Sequence, residues 1–217
     1  SKISPEQRNT MNRRSFLKNG LKNSMAYSLL ATTMLGSHGA FGGGRRAAEA
    51  DVTEDEIAHL EYVREEEKLA RDVYLTLFDY WDLGVFSHIA ESEQTHTEAV
   101  RAKLEKYYLA DPVIDDSVGV FVNHDLQVLY DALIEQGARS EEEALWVGCA
   151  IEEIDMIDLQ DAIDHAEHRD IARTYQNLML GSESHLRAFV DQLESRGIAY
   201  VPRYISQEKA EEILGTV

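Results

Sequence analysis

The sequence predicts an all-α protein: a four-helix bundle with a long crossover between the second and third helices, and short accessory helices beside them. Three observations lead there. Apolar residues recur at steps of three and four through four long stretches, the period of a helix with one buried face. No stretch carries the sustained period-two alternation of a β-strand. The 217 residues include only three prolines, so little interrupts long helices.

Each element has its own signal. Thr53-Glu54-Asp55-Glu56 sets a hydroxyl three residues before a carboxylate, a capping box that opens a helix to about Asp79. A second helix fits Phe86 to about Tyr108, with Ala110-Asp111-Pro112 as its stop. A connection of roughly thirty residues follows, holding a short helix at about Asp125–Gln136, and its length lets the second and third long helices run parallel. Ser140-Glu141-Glu142-Glu143 is another capping box and opens the third long helix, to about Ala166. The fourth runs from about Asp170 to Ser195 and ends at Gly197. A last short helix starts after Ser206.

Charge narrows the function classes. The chain has 21 Lys+Arg against 40 Asp+Glu, a formal net of −19, with 44% hydrophobic residues. That apolar fraction can build a core. Residues 1–50 hold eight basic and two acidic side chains, and the remainder holds 13 and 38. A domain so acidic repels phosphate backbones, which argues against nucleic-acid binding, and it attracts cations. The single cysteine, Cys149, excludes an intrachain disulfide framework and any four-Cys zinc or rubredoxin-type iron site. The chain has neither a serine-hydrolase nucleophile elbow nor a glycine-rich phosphate loop.

The first fifty residues read as an address and linker, with the domain proper at 51–217. Asn12-Arg13-Arg14-Ser15-Phe16-Leu17-Lys18 precedes a mostly apolar stretch from Met25 to Leu35 and a Gly-rich segment from Gly36 to Gly44. This resembles a bacterial twin-arginine signal. The apolar stretch is too short and too rich in Thr, Ser and Gly to span a membrane. Met11 is a candidate start, and Ala48-Glu49-Ala50 or Ser37-His38-Gly39 a candidate cleavage site. The resemblance implies the Tat export machinery as a partner, a periplasmic or secreted destination, and export in the folded state.

Candidate site residues appear where polar groups interrupt the apolar stripes. The second long helix reads Ile89, Glu93, His96, Val100, Leu104, which puts Glu93 and His96 inside the apolar face one turn apart. The fourth reads Ile171, Tyr175, Leu178, Ser182, His185, Phe189, with His185 mid-stripe. On the third, Asp155 sits near the apolar centre, Glu152 and Asp158 flank it, and Glu153 points the other way. On the first, Glu66 and Glu67 lie on the two margins of a broad face, and the run Glu65-Glu66-Glu67 reads as partly solvated. Several carboxylates in a core cost several kcal/mol each unless something compensates. Divalent iron, manganese or zinc would neutralise such a set; a metal-free hydrogen-bond network is the other reading. His59, His124, His165 and His168 fall near helix ends and read as solvated, although His165 and His168 have ligand-like spacing. Cys149 reads as an inert small side chain, and Trp81 and Trp146 as packing residues.

These residues resemble the ferritin-like di-metal carboxylate bundles, whose pattern is a Glu, a Glu-x-x-His, a Glu and a second Glu-x-x-His on successive helices. Glu93-Gln94-Thr95-His96 matches the second element and His185 the last ligand. Glu67 with Tyr74 has the spacing of a first-helix ligand and its tyrosine, and Glu152-x-x-Asp155 is similar to a rubrerythrin element. Residues 54–213 look like the DUF2202 family, on Arg64 to Tyr74, Ser92 to His96, Ile151 to Asp155 with Asp158-Leu159, and Gly181-Ser182 with His185 to Phe189. The resemblance implies metal ligands Glu67, Glu93, His96, Glu152 and His185, with Asp155 auxiliary and Tyr74 a hydrogen-bond donor near the reacting centre. It implies a di-iron or di-manganese oxidoreductase acting on oxygen or peroxide, possible as a homo-oligomer. Ser182 departs from the pattern, standing where the second Glu-x-x-His has its Glu. Metal storage, a structural metal clip, and a metal-free partner-binding module are the other readings.

Overall fold

The computed structural model describes residues 52–215. The chain divides into two units, Ser1–Thr53 and Glu54–Val217. The signal, linker and cleavage-site readings fall on residues 1–50, outside the described residues. The second unit is all-helical, with no strand among the described residues. Its elements are α1 (Glu54–Trp81), α2 (Gly84–Lys106), α3 (His124–Gly137), α4 (Glu141–His165), α5 (Arg169–Ser195) and α6 (Gln207–Leu214).

Side-chain caps open three of the helices. Ser140 Oγ accepts from Glu143 N at 3.1 Å to open α4, and Ser206 Oγ accepts from Lys209 N to open α6. Asn123, which the sequence reading passed over, caps α3 through Oδ1. One stop differs from expectation. α2 ends at Lys106, well before Pro112, because Tyr108 turns left-handed at φ +58° and Leu109 N closes onto Leu104 O at 2.9 Å. Gly197 ends α5 as expected, at φ +74° with Ile198 N bonded to Leu193 O.

The four long helices form a square in which α1 and α5 each pack on α2 and α4. Their directions follow from their contacts. Arg64 meets Thr97 and Arg71 meets Gln94, so α2 runs antiparallel to α1. His59 meets Asp161 and Tyr62 meets Asp158, so α4 does the same. α2 and α4 are therefore parallel, as the long connection requires. At one level of the core Tyr74, Phe86 and Phe189 meet with ring centroids 5.3–6.1 Å apart. Phe189 fits there because α4 carries Gly148, where an added Cβ would lie 2.6 Å from its ring.

The crossover straps the outer face of α1, and this corrects the solvated reading of Glu65-Glu66-Glu67. All three are buried. Glu65 accepts from Val122 N at 2.7 Å and from Asn123 N, so a carboxylate satisfies two backbone donors of the strap. Lys68, fully buried, reaches Asp72 at 2.5 Å and the carbonyls of Ser117 and Val120. Arg71 bonds Asp72 and Asp116. The charged run of α1 thus divides: one side holds the strap, and the other enters the bundle. Among the described residues no helix is long and apolar enough to cross a membrane.

Candidate metal centre

Glu93 is the hub of the bundle interior. It sits on α2 one turn from His96, so both side chains enter the same space. Glu93 Oε2 lies 2.7 Å from His96 Nδ1, and Oε1 lies 2.8 Å from His185 Nδ1 on α5. From α1, Glu67 Oε2 comes to 3.1 Å from His96 Nδ1. From α4, Glu152 Oε2 comes to 3.5 Å from His185 Nδ1. The two imidazoles stack with centroids 5.4 Å apart. Two ligand-capable groups result, Glu67–Glu93–His96 and Glu93–Glu152–His185, each offering three donor atoms within 4.8 Å of one another. They share Glu93.

A supporting set orients these groups. Tyr74 OH donates to Glu152 Oε1 at 2.5 Å, and His185 Nε2 pairs with Ser92 Oγ at 2.8 Å. With Nε2 so engaged, Nδ1 is the atom His185 presents to the carboxylates. Gly181 makes room for His96: a Cβ there would lie 2.4 Å from the imidazole Cε1. Asp155 falls in neither three-residue group. It is buried beside them, with Oδ2 bonded to the Ser182 hydroxyl. Glu66 is buried too but turns away toward Asp158, so of the two first-helix candidates Glu67 alone joins the cluster.

Burial and close charge pairing set the electrostatics of the cluster. Burial lifts the Glu67 carboxyl to about 8 despite its His96 partner. Burial alone would also raise Glu93, but two imidazole partners outweigh it and pull it down to about 2. Burial works against the charged imidazoles, yet the carboxylates around them raise His96 to about 11 and His185 to about 10. Burial, then Glu67 and Glu152, push Asp155 well above the carboxylate range, and burial likewise keeps the Tyr74 phenol protonated. Each imidazole is paired with carboxylates from two helices. Even so, Glu67 Oε1 and His185 Nδ1 are left buried with no aligned hydrogen bond. The donor set fits borderline divalent ions.

Several supporting residues escaped the sequence reading. Gly181 had a signal, since a glycine inside a helix costs about 1 kcal/mol against alanine and asks for a packing reason. Ser92 lies off the apolar stripe, so periodicity gave no sign of its role, although it stands in a stretch that carries the family resemblance. His59 and His168 are corrections: both are largely buried and partnered rather than solvated. His59 pairs with Asp161, and His168 Nδ1 with Glu56 at 2.9 Å. The ligand-like spacing of His165 and His168 does not bring them into one group; His165 stacks on His59 instead. Cys149 is buried, and burial pushes its thiol far up, consistent with an inert side chain.

The fold and its centre define a helical bundle in which buried histidines and carboxylates could hold a metal ion. The chain belongs to the DUF2202 family, whose pattern, described as an uncharacterized protein domain, matches residues 56–217. It is 51% identical over 165 residues to the uncharacterized protein MJ0754 of Methanocaldococcus jannaschii, spanning 76% of this chain and 89% of that one. The crystal structure of the hypothetical protein MJ0754 from Methanococcus jannaschii superposes with a TM-score of 0.76 at 49% identity, covering 79% of this chain and 98% of that chain.

Proposed function

We propose that this domain is a ferritin-like metalloprotein whose centre holds two divalent ions, iron first and manganese or zinc as alternatives, and that it is an oxidoreductase toward oxygen or peroxide. One observation carries the reading: two three-donor groups, each with its own histidine and terminal glutamate, share the Glu93 carboxylate at mid-bundle. Glu67 and His96 would hold one ion, Glu152 and His185 the other, and Glu93 both. Ser182 replaces the second shared glutamate of the ferritin-like pattern, and its hydroxyl bonds Asp155, whose carboxylate thus fills part of that corner.

Two such ions supply Lewis acidity and, as iron or manganese, electrons for reducing an oxygen species. The chain's own residues set the conditions. Tyr74 keeps its proton and fixes Glu152 through the 2.5 Å bond, while Phe86 and Phe189 pack around its ring. With Cys149 alone, no rubredoxin relay exists within the chain, so electrons come from ferrous substrate or an external donor. Twin-arginine export to the periplasm or beyond belongs to the same proposal, resting on residues 12–18.

Structural or storage binding without turnover is the second reading, favoured by depth: Glu67 and Glu152 are 1% exposed and Glu93 2%. The test is metal content per chain by mass spectrometry for the parent and for His96→Ala/His185→Ala. The parent should hold two more ions than the variant, and Glu67→Gln should lose one of them. Equal content in parent and variant after reconstitution with Fe²⁺, Mn²⁺ and Zn²⁺ would sink both metal readings. Bound iron that neither consumes peroxide nor oxidises with oxygen leaves storage or structural binding.

A further inference from the structure

A second histidine–carboxylate cluster lies where the start of α1 meets the end of α4. His59 stands on α1, and Asp161 and His165 stand four residues apart on α4, on one face of that helix. The three residues each offer a ligand atom within 4.8 Å of the others. Their imidazoles stack with centroids 5.4 Å and planes 21° apart.

The hydrogen bonds prepare both rings for a cation. His59 Nδ1 donates to Asp55 O at 2.8 Å, and His165 Nδ1 donates to Asp161 O at 2.8 Å. A backbone carbonyl can only accept, so both rings carry a proton on Nδ1, which leaves Nε2 as the atom to meet a carboxylate or a cation. This is how metal-binding histidines are held. His59 Nε2 lies 3.3 Å from Asp161 Oδ2, joined to it when the ring carries a second proton. A cation shared between those atoms takes the place of that proton. Protonating both rings instead would stack two like charges. Asp161 and His165 keep 40% and 49% of their side-chain surface exposed, so positions on a bound ion stay open to water.

From this cluster a line of acids leads inward along the α1–α4 interface. Asp158, next on α4, accepts from Tyr62 OH and shares a hydrogen bond with the buried Glu66. Glu66 Oε2 is buried with no hydrogen-bond partner, and its carboxylate lies within electrostatic reach of Asp155 and Glu67. A buried carboxylate oxygen without a donor, between two groups of possible ligands, fits the passage of a cation.

We propose that His59, Asp161 and His165 form a second, solvent-facing site for a borderline divalent cation such as Zn²⁺, Co²⁺ or Fe²⁺, and that it passes ions along Asp158 and Glu66 to the buried centre. The passing role rests on the proposed buried centre; the site itself does not. Co²⁺ titration of the full chain, followed by visible absorbance and by metal content, separates the two. The parent should bind one more ion than His59→Ala/His165→Ala, and His96→Ala/His185→Ala should keep that ion. The absorbance phase that His96→Ala/His185→Ala lacks should develop severalfold more slowly in His59→Ala/His165→Ala. An unchanged ion count in His59→Ala/His165→Ala, with its fold intact by circular dichroism, overturns the outer site. A lower count with an unchanged filling rate overturns the passing role. If the buried centre takes up nothing, the passing role falls, while the count in His96→Ala/His185→Ala still decides the outer site.

Discussion

The Tyr74 hydroxyl donates a 2.5 Å hydrogen bond to Glu152 Oε1, joining α1 to α4 inside the bundle. Both residues are fully or almost fully buried, so the phenol is a fixed donor to a carboxylate that water cannot serve. Tyr74→Phe keeps the ring and removes the donor. A bond to a charged group contributes about 1.5–3 kcal/mol. In a domain of this size that corresponds to a fall in melting temperature of roughly 3–12 °C. Metal content should be retained, because the Glu152 oxygen nearer His185 is Oε2. Differential scanning calorimetry with parallel metal analysis checks both halves, and an unchanged melting temperature would remove Tyr74 from its supporting role.

Gly181→Ala should separate fold from site. Alanine favours the helix by about 1 kcal/mol over glycine. Its Cβ, however, would press on His96 Cε1 and Nε2, so the imidazole must leave the position from which Nδ1 meets Glu67 and Glu93. The expected variant is as helical as the parent by circular dichroism and deficient in metal. Full occupancy in Gly181→Ala would mean that His96 is not a ligand or that its ring has slack.

Lys68→Met tests the strap. The ammonium is buried against Asp72, the Ser117 and Val120 carbonyls and the Phe121 ring. Its loss strands those acceptors, while Asp72 keeps Arg71 and the Gly119 N–H. A destabilisation of about 3 kcal/mol is expected, the lower end for breaking a buried pair. Hydrogen exchange should show residues 117–123 losing protection before the four long helices do.

Asp170 sets one acid sensitivity. Burial would raise its carboxyl, but Tyr107 OH at 2.6 Å and the ammonium groups of Lys103 and Lys106 hold it well below the usual range. A lowered folded pKa means the contribution is full above the unfolded value of about 3.9 and fades as pH falls through the folded one. Asp170→Asn should therefore cost stability at pH 7, by about 1 kcal/mol or less for so open a group, with the difference narrowing below pH 4. Denaturant melts of parent and variant across pH 2–7 would show it; a gap that widens in acid would contradict the assignment.

The sequence by itself determined the helices, their order and the parallel pair. Periodicity and capping are local properties, and the length of the 107–140 connection constrains direction without reference to packing. It also placed Glu93, His96 and His185 on inward faces, because a polar residue in an apolar stripe has nowhere else to go. Tertiary structure decided what depends on a neighbour. Glu66 and Glu67 are adjacent on one helix, and only the packing of α2 and α4 sends Glu67 to His96 and Glu66 to Asp158. Glu65 looks partly solvated along the chain, yet it and Lys68 are buried because a distant segment folds over α1 and uses their charges for its backbone. His59 and His165, more than a hundred residues apart, stack only because α1 and α4 run antiparallel and bring the start of one to the end of the other. A stripe reports which side of a helix is buried; it carries no information about what buries it.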